Sequence, residues 1–150
     1  MSTTHLLLVD DEEQFLSTTK KLLEKRGIHT DTCTNGFDAL EALEKSRIDV
    51  VILDVKMPGL DGVEALRKIK QRYPLIEVIM LTGHASVESA VQGLRLGAFD
   101  YLVKPATVEE IVAKVRDACD KKRAKEEQIR SVKIDRMISH PMAIFEKEEE

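Results

Sequence analysis

Cysteine is scarce in this 150-residue chain, and its two thiols, Cys33 and Cys119, lie far apart at no metal-ligand spacing. A disulfide framework and a cysteine-ligated metal site are thereby set aside, and both thiols are read as buried. Long apolar runs are missing too. None approaches the roughly 20 residues a membrane span requires, so bilayer insertion is not expected. No basic cluster precedes the first apolar run, which breaks at Asp10, so the chain does not open like a secretory leader and the cytoplasm is the expected location. Positive charge is not in excess: 23 Lys and Arg stand against 27 Asp and Glu, a formal −4, which offers no electrostatic footprint for direct nucleic-acid binding. The four histidines, His5, His29, His84 and His140, show no ligand spacing and are read as non-metal residues.

What the chain does have is alternation. Leu6 to Val9, Val50 to Leu53 and Val78 to Leu81 are short apolar runs of the kind that form strands buried on both faces, and Phe99 to Val103 reads as a further strand. Ile28 to Cys33 reads as a fifth strand with a wetter face at His29 and Asp31. Between them, apolar residues recur at helical spacing: Phe15, Leu16, Thr19, Leu22 and Leu23; Phe37, Leu40 and Leu43; Val63, Leu66 and Ile69; Val87, Ala90, Val91 and Leu94. Gly27 offers a left-handed stop to the first helix, Pro74 closes the third, and Gly93 and Gly97 make the fourth the weakest in propensity, so it is expected to be mobile. Thr107-Val108-Glu109-Glu110 has the form of a capping box before a fifth stripe at Val108, Ile111, Val112, Val115 and Ala118. Strand and helix alternating five times predict an α/β doubly wound fold with a parallel sheet and right-handed crossovers.

The ends of these strands carry the chemistry. The first stops at Asp10-Asp11, the central one at Asp54, the fourth at Thr82 and the last at Lys104-Pro105. Ligands of open α/β sheets bind outside the carboxyl ends of the strands. Singly, each residue has a plainer reading: the acid pair could complement a helix dipole, Thr82 could end a strand, and Tyr101 could be a half-buried core aromatic. Together, with Met57-Pro58 and Asp61-Gly62 after Asp54, they resemble the receiver domain of two-component response regulators over about residues 5–120.

The resemblance implies a flavodoxin-like five-stranded sheet in the order 2-1-3-4-5 with five helices. It also implies that Asp54 is the phosphoacceptor, with Mg²⁺ held by Asp11, Asp54, the backbone carbonyl of Lys56 and, through water, Asp10. Lys104 would pair with the phosphoryl group, Thr82 would donate to it, Tyr101 would turn inward as Thr82 moves, and the Lys104–Pro105 peptide would be cis. These residue types suit the reaction, because a carboxylate attacking an anionic phosphorus centre needs positive charge on both sides. Lys56 and His84 would flank the path of hydrolytic water and slow its attack. The implied partners are a sensor histidine kinase or a histidine phosphotransfer protein and a downstream protein target, with a phosphorylation-dependent homodimer as a further form. The implied activity is that of a switch catalysing only its own phosphorylation and dephosphorylation.

A Mg²⁺-dependent phosphohydrolase with an aspartyl nucleophile, of the haloacid dehalogenase type, is the competing reading. It would need an Asp-x-Asp motif after the first strand and a cap domain, whereas this chain has adjacent Asp10-Asp11 and its central acid on the third strand. Residues 121–150 read as a mixed-charge helical extension, most simply solvated, ending in the apolar segment Pro141 to Phe145 and a flexible acidic tail.

Overall fold

The computed structural model describes residues 3–83 and 87–139. In chain order the elements are β1 (His5–Val9), α1 (Glu13–Lys25), β2 (His29–Cys33), α2 (Gly36–Lys45), β3 (Val50–Asp54), α3 (Gly62–Arg72), β4 (Glu77–Thr82), α4 (Val87–Arg95), β5 (Asp100–Val103) and α5 (Val108–Ser139). The strands pair in parallel in the order β2-β1-β3-β4-β5, as the resemblance implies. Because side chains alternate along a strand, each inner strand feeds two cores. Leu7, Val9, Val51, Leu53 and Met80 pack under α2 and α3, whereas Leu6, Leu8, Val50, Ile52, Ile79 and Leu81 pack under α1 and α5. Burying such a side chain contributes about 1.5–3 kcal/mol. The continuous apolar runs are therefore the sheet's main anchor, and they fix its register. Val9 lies level with Leu53 and Asp54 with Leu81, so the polar residues that end the strands emerge along one edge.

Helical periodicity marks the buried faces only in part. Leu16, Thr19 and Leu23 of α1 are buried, but Leu22 turns outward, and Phe37 at the start of α2 is 62% exposed. In α4 the inner face is made by Ala90 and Gly93 rather than by Val87 and Val91, which are exposed. Gly93 supplies the reason: a Cβ there would stand 3.0 Å from Met80 Cγ, so the helix lies on β4 through its smallest residues. Cys119 is buried as expected, while Cys33 is only half-buried, and both are free thiols. Thr107 does cap α5, accepting from Glu110 N at 3.1 Å. The reciprocal half of the box differs, because the Glu110 carboxylate accepts from the Thr107 hydroxyl at 3.2 Å.

The extension beyond residue 120 also departs from its solvated reading. Lys122 is 5% exposed, with Nζ 3.1 Å from Asp49 Oδ1 and 3.3 Å from Glu126 Oε2. Lys121 and Lys125 reach the buried carboxylate of Glu77, at 3.3 and 3.6 Å, which Lys70 meets from α3 at 3.4 Å. A buried charge must be paired, and here the pairing draws three lysines of the extension onto the body of the sheet. Further along α5, Ile129, Val132, Ile134, Met137 and Ile138 are exposed. The expectations placed on His84, His140 and residues 141–150 lie outside the described residues. Among the described residues, no helix is long and apolar enough to cross a membrane.

Candidate functional site

Asp54 is the last residue of β3 and is almost fully buried. Its surroundings are fixed by a close approach of backbone to backbone. A Cβ on Gly62 would stand 2.1 Å from the Asp54 carbonyl oxygen and 2.8 Å from Val55 Cα, so only glycine fits where α3 begins. Gly62 N donates to Val55 O at 2.9 Å, and Asp61 caps α3 by accepting from Glu64 N at 2.9 Å. The intervening loop turns at Gly59, whose φ of +79° lies in the left-handed region. Asp54 Oδ1 accepts weakly from Lys56 N, at 3.3 Å, and the Lys56 side chain is exposed.

At the end of β1 the buried Asp10 divides its two oxygens between structure and site. Oδ1 accepts from Glu12 N at 2.9 Å and so organises the entry to α1, which has no capping side chain at Glu12 itself. Oδ2 lies 2.7 Å from Lys104 Nζ but receives no well-aligned hydrogen bond. The plainer reading of Asp10 as a helix-entry acid therefore holds for one oxygen and leaves the other over. Asp10, Asp11 and Glu12 present carboxylate oxygens within 4.8 Å of one another.

Lys104 arrives from the end of β5. Its backbone N donates to Thr82 O at 2.7 Å, and the Lys104–Pro105 peptide is cis. Its ammonium also lies 3.4 Å from Glu12 Oε1 and 4.9 Å from the centre of the Phe15 ring. Thr82 is fully buried, and its hydroxyl donates to Gly83 O at 2.9 Å. Tyr101 is half-buried against the α2/α3 core. Glu12 and Phe15 were not read as site residues. The acidic run Asp10 to Glu13 carried a signal for Glu12, but Phe15 fitted the helical stripe and so passed as core.

The charges here do not balance. Burial, then the charge of Asp10, pushes the Asp54 carboxyl up from 3.8 to about 6, with Lys104 only partly opposing. Burial pulls the Lys104 ammonium down, but Asp10, Asp54 and Glu12 together hold it above the ordinary lysine value. Several carboxylates thus share a single lysine at this edge. Crowded carboxylate oxygens, one of them buried without a directed hydrogen bond, form a donor set that fits a hard divalent cation such as Mg²⁺.

An edge of this kind on a doubly wound sheet, with an acid on the central strand between an acid pair and a lysine, defines a class of phosphorylation-controlled domain. The family model described as the response regulator receiver domain matches residues 6–116, and the chain belongs to that family. It is 40% identical over 111 residues to the DNA-binding transcriptional regulator NtrC of Escherichia coli, covering 74% of this chain and 24% of that protein. It is 36% identical over 131 residues to a putative NtrX-like response regulator of Rickettsia bellii, covering 86% of this chain and 27% of that one. The chain thus spans about a quarter of the length of these curated relatives. Among solved structures, a response regulator receiver domain protein from Clostridium thermocellum superposes with a TM-score of 0.78 at 36% identity, covering 81% of this chain and 98% of its own. The receiver reading stands on these matches, and the phosphohydrolase alternative finds no support in them.

Proposed function

We propose that Asp54 accepts a phosphoryl group from a histidine kinase or a histidine phosphotransfer protein and that the chain relays this event to a protein target. The observation that carries the reading is the meeting of Asp10 and Lys104, 2.7 Å apart, at the strand edge where Asp54 ends β3. In the proposed step an Asp54 carboxylate oxygen bonds to phosphorus as the bond from phosphorus to the donor breaks, leaving an acyl phosphate. Lys104 then exchanges Asp10 for a phosphoryl oxygen, as a compact point charge suits. Thr82 exchanges the Gly83 carbonyl for another, and Tyr101 follows the space that Thr82 vacates.

Asp11, Asp54 and the Lys56 carbonyl, with Asp10 through water, are the groups that would hold Mg²⁺. When bound, the ion would supply positive charge to the phosphoryl oxygens beside that of Lys104. The chain thereby acts as a switch whose only catalysis is on its own phosphoryl group. Its relatives in E. coli and Rickettsia carry names of transcriptional and response regulators, and a homodimer or a further protein is the partner proposed here. Direct contact with nucleic acid is not assigned to this chain, and its proposed setting is the cytoplasm.

Asp54→Asn keeps the side chain's shape and removes its charge. Incubated with acetyl phosphate and Mg²⁺, the wild-type chain should gain the mass of one phosphoryl group, labile to hydroxylamine, and the variant should gain none. Undiminished labelling of the variant would place the acceptor elsewhere.

A further inference from the structure

At the opposite end of the sheet from Asp54, a second set of ligand-bearing side chains is brought together by strand register. His5 of β1 lies level with His29 of β2, and the two-residue period of a strand puts Asp31 on the same face as His29. The two imidazole rings meet edge to face with their centres 4.3 Å apart. His5 Nε2 is 2.8 Å from Asp31 Oδ2, and His29 Nε2 is 3.9 Å from Asp31 Oδ1. On the other side of the His29 ring, Nδ1 is 3.7 Å from Glu24 Oε1, near the end of α1. His29 and Asp31 are 54% and 42% exposed, so the group is open to solvent.

Only two groups of three potential ligands arise among the described residues: this one and Asp10, Asp11 and Glu12. Their chemistry differs. The strand-end acids offer only oxygen, which suits Mg²⁺, whereas two imidazoles and a carboxylate suit borderline ions such as zinc, nickel and copper. Nitrogen and oxygen ligands sit about 2.0–2.2 Å from zinc, which puts two ligands of one ion roughly 3–3.5 Å apart. Separations of 2.8 and 3.9 Å, one to each oxygen of Asp31, bracket that range, and a small movement of the half-exposed His29 ring would bring the longer one inside it.

We propose that His5, His29 and Asp31 bind a divalent transition-metal ion of the zinc, nickel and copper group, with Glu24 facing the other ring nitrogen of His29. Binding takes the place of the hydrogen bond between His5 Nε2 and Asp31 Oδ2, and the neutral imidazole presents Nε2 to the ion by carrying its proton on Nδ1. The ion ties the start of β1 to the edge strand β2 at the end of the sheet that faces away from the carboxylate pocket.

The test uses the full, untagged chain in excess Mg²⁺, which keeps the carboxylate pocket occupied, and Co²⁺ as the probe because its visible absorption reports ligation. His84→Ala and His140→Ala in the background remove the other two histidines. Wild type and Asp11→Ala should take up a single Co²⁺, displaceable by Zn²⁺, with the ring protons of His5 and His29 paramagnetically shifted. His29→Ala should weaken uptake at least about tenfold, and Asp31→Asn likewise, with the far-ultraviolet circular dichroism unchanged. Uptake lost in Asp11→Ala but intact in His29→Ala would put the ion in the carboxylate pocket and overturn the proposal. A wild-type chain that takes up no Co²⁺ would overturn it equally, leaving His5 and Asp31 as a plain hydrogen-bonded pair.

Discussion

Asp54 is held in tension at the level of a single side chain, and that tension is measurable without any phosphodonor. Its carboxyl is raised from 3.8 to about 6, first by burial and then by Asp10. A carboxylate that holds its proton more tightly in the folded state than in the unfolded one makes stability fall as pH rises between those two values. Below about 4 the group is neutral in both states, and above about 6 its ionisation opposes folding throughout. Asp54→Asn removes this titration. In metal-free buffer the variant should melt higher than wild type at pH 7.5, with the gap shrinking as pH is lowered through the interval from 6 to 4. Adding Mg²⁺ should narrow the gap at pH 7.5, since binding to the folded state stabilises the wild-type chain. Melting curves that keep a constant separation across this range would refute the account. The identity of Asp54 as the central acid was legible in the sequence because an apolar run stopped there. The division of labour in Asp10 was not, because which oxygen serves the helix and which faces Lys104 depends on side-chain torsion.

Among the elements, the join between β3 and α3 is the least tolerant. Gly62 lies so near the Asp54 carbonyl that an added methyl group would overlap it, at 2.1 Å, and the obstacle is backbone rather than a side chain that could swing away. Gly62→Ala should therefore push α3 off the end of β3, costing on the order of 3 kcal/mol in urea unfolding, and it should lower the yield of phosphorylated Asp54. An alanine variant with wild-type stability and labelling would show that the helix can retreat without disturbing the acceptor. An Asp-Gly pair such as Asp61-Gly62 is a turn signal in the sequence, a weaker reason for the glycine than the structure supplies. A turn signal needs only a local conformation; the close approach is set by where β3 ends relative to α3. The same distinction explains α4, where periodicity marked Ala90 together with Val87 and Val91, and the close approach to β4 keeps Ala90, adds Gly93 and leaves both valines exposed. Apolar spacing encodes which residues avoid water, while the smallest residues encode how near two elements come.

For the whole molecule, the fold and the strand-end site were legible because each rests on runs within a strand and on the residue that follows. Contacts set by pairing between distant segments were not: His5 with His29 and Asp31, and the lysines beyond residue 120 with Asp49 and Glu77. The lysine contacts bear on where the folded body ends. A chain cut after Asp120 keeps every strand yet strips Asp49 of Lys122 and leaves Glu77 with Lys70 alone. Glu77 is 1% exposed, so its charge has no recourse to water. Removing one partner of a buried ion pair costs about 3–5 kcal/mol. The chain ending at Asp120 should accordingly unfold at a clearly lower urea concentration than the full chain, whereas a chain ending at Gln128, which retains Lys121, Lys122, Lys125 and Glu126, should match it. Neutralising the stranded acids in the short chain, with Asp49→Asn and Glu77→Gln, should recover part of the loss, because the penalty comes from unpaired charge rather than from lost helix. Equal midpoints for the three lengths would mean that the lysines merely rest on the surface of an already complete domain. A short chain left unrescued by the two neutral substitutions would mean that packing of the α5 backbone, and not its cations, completes the fold.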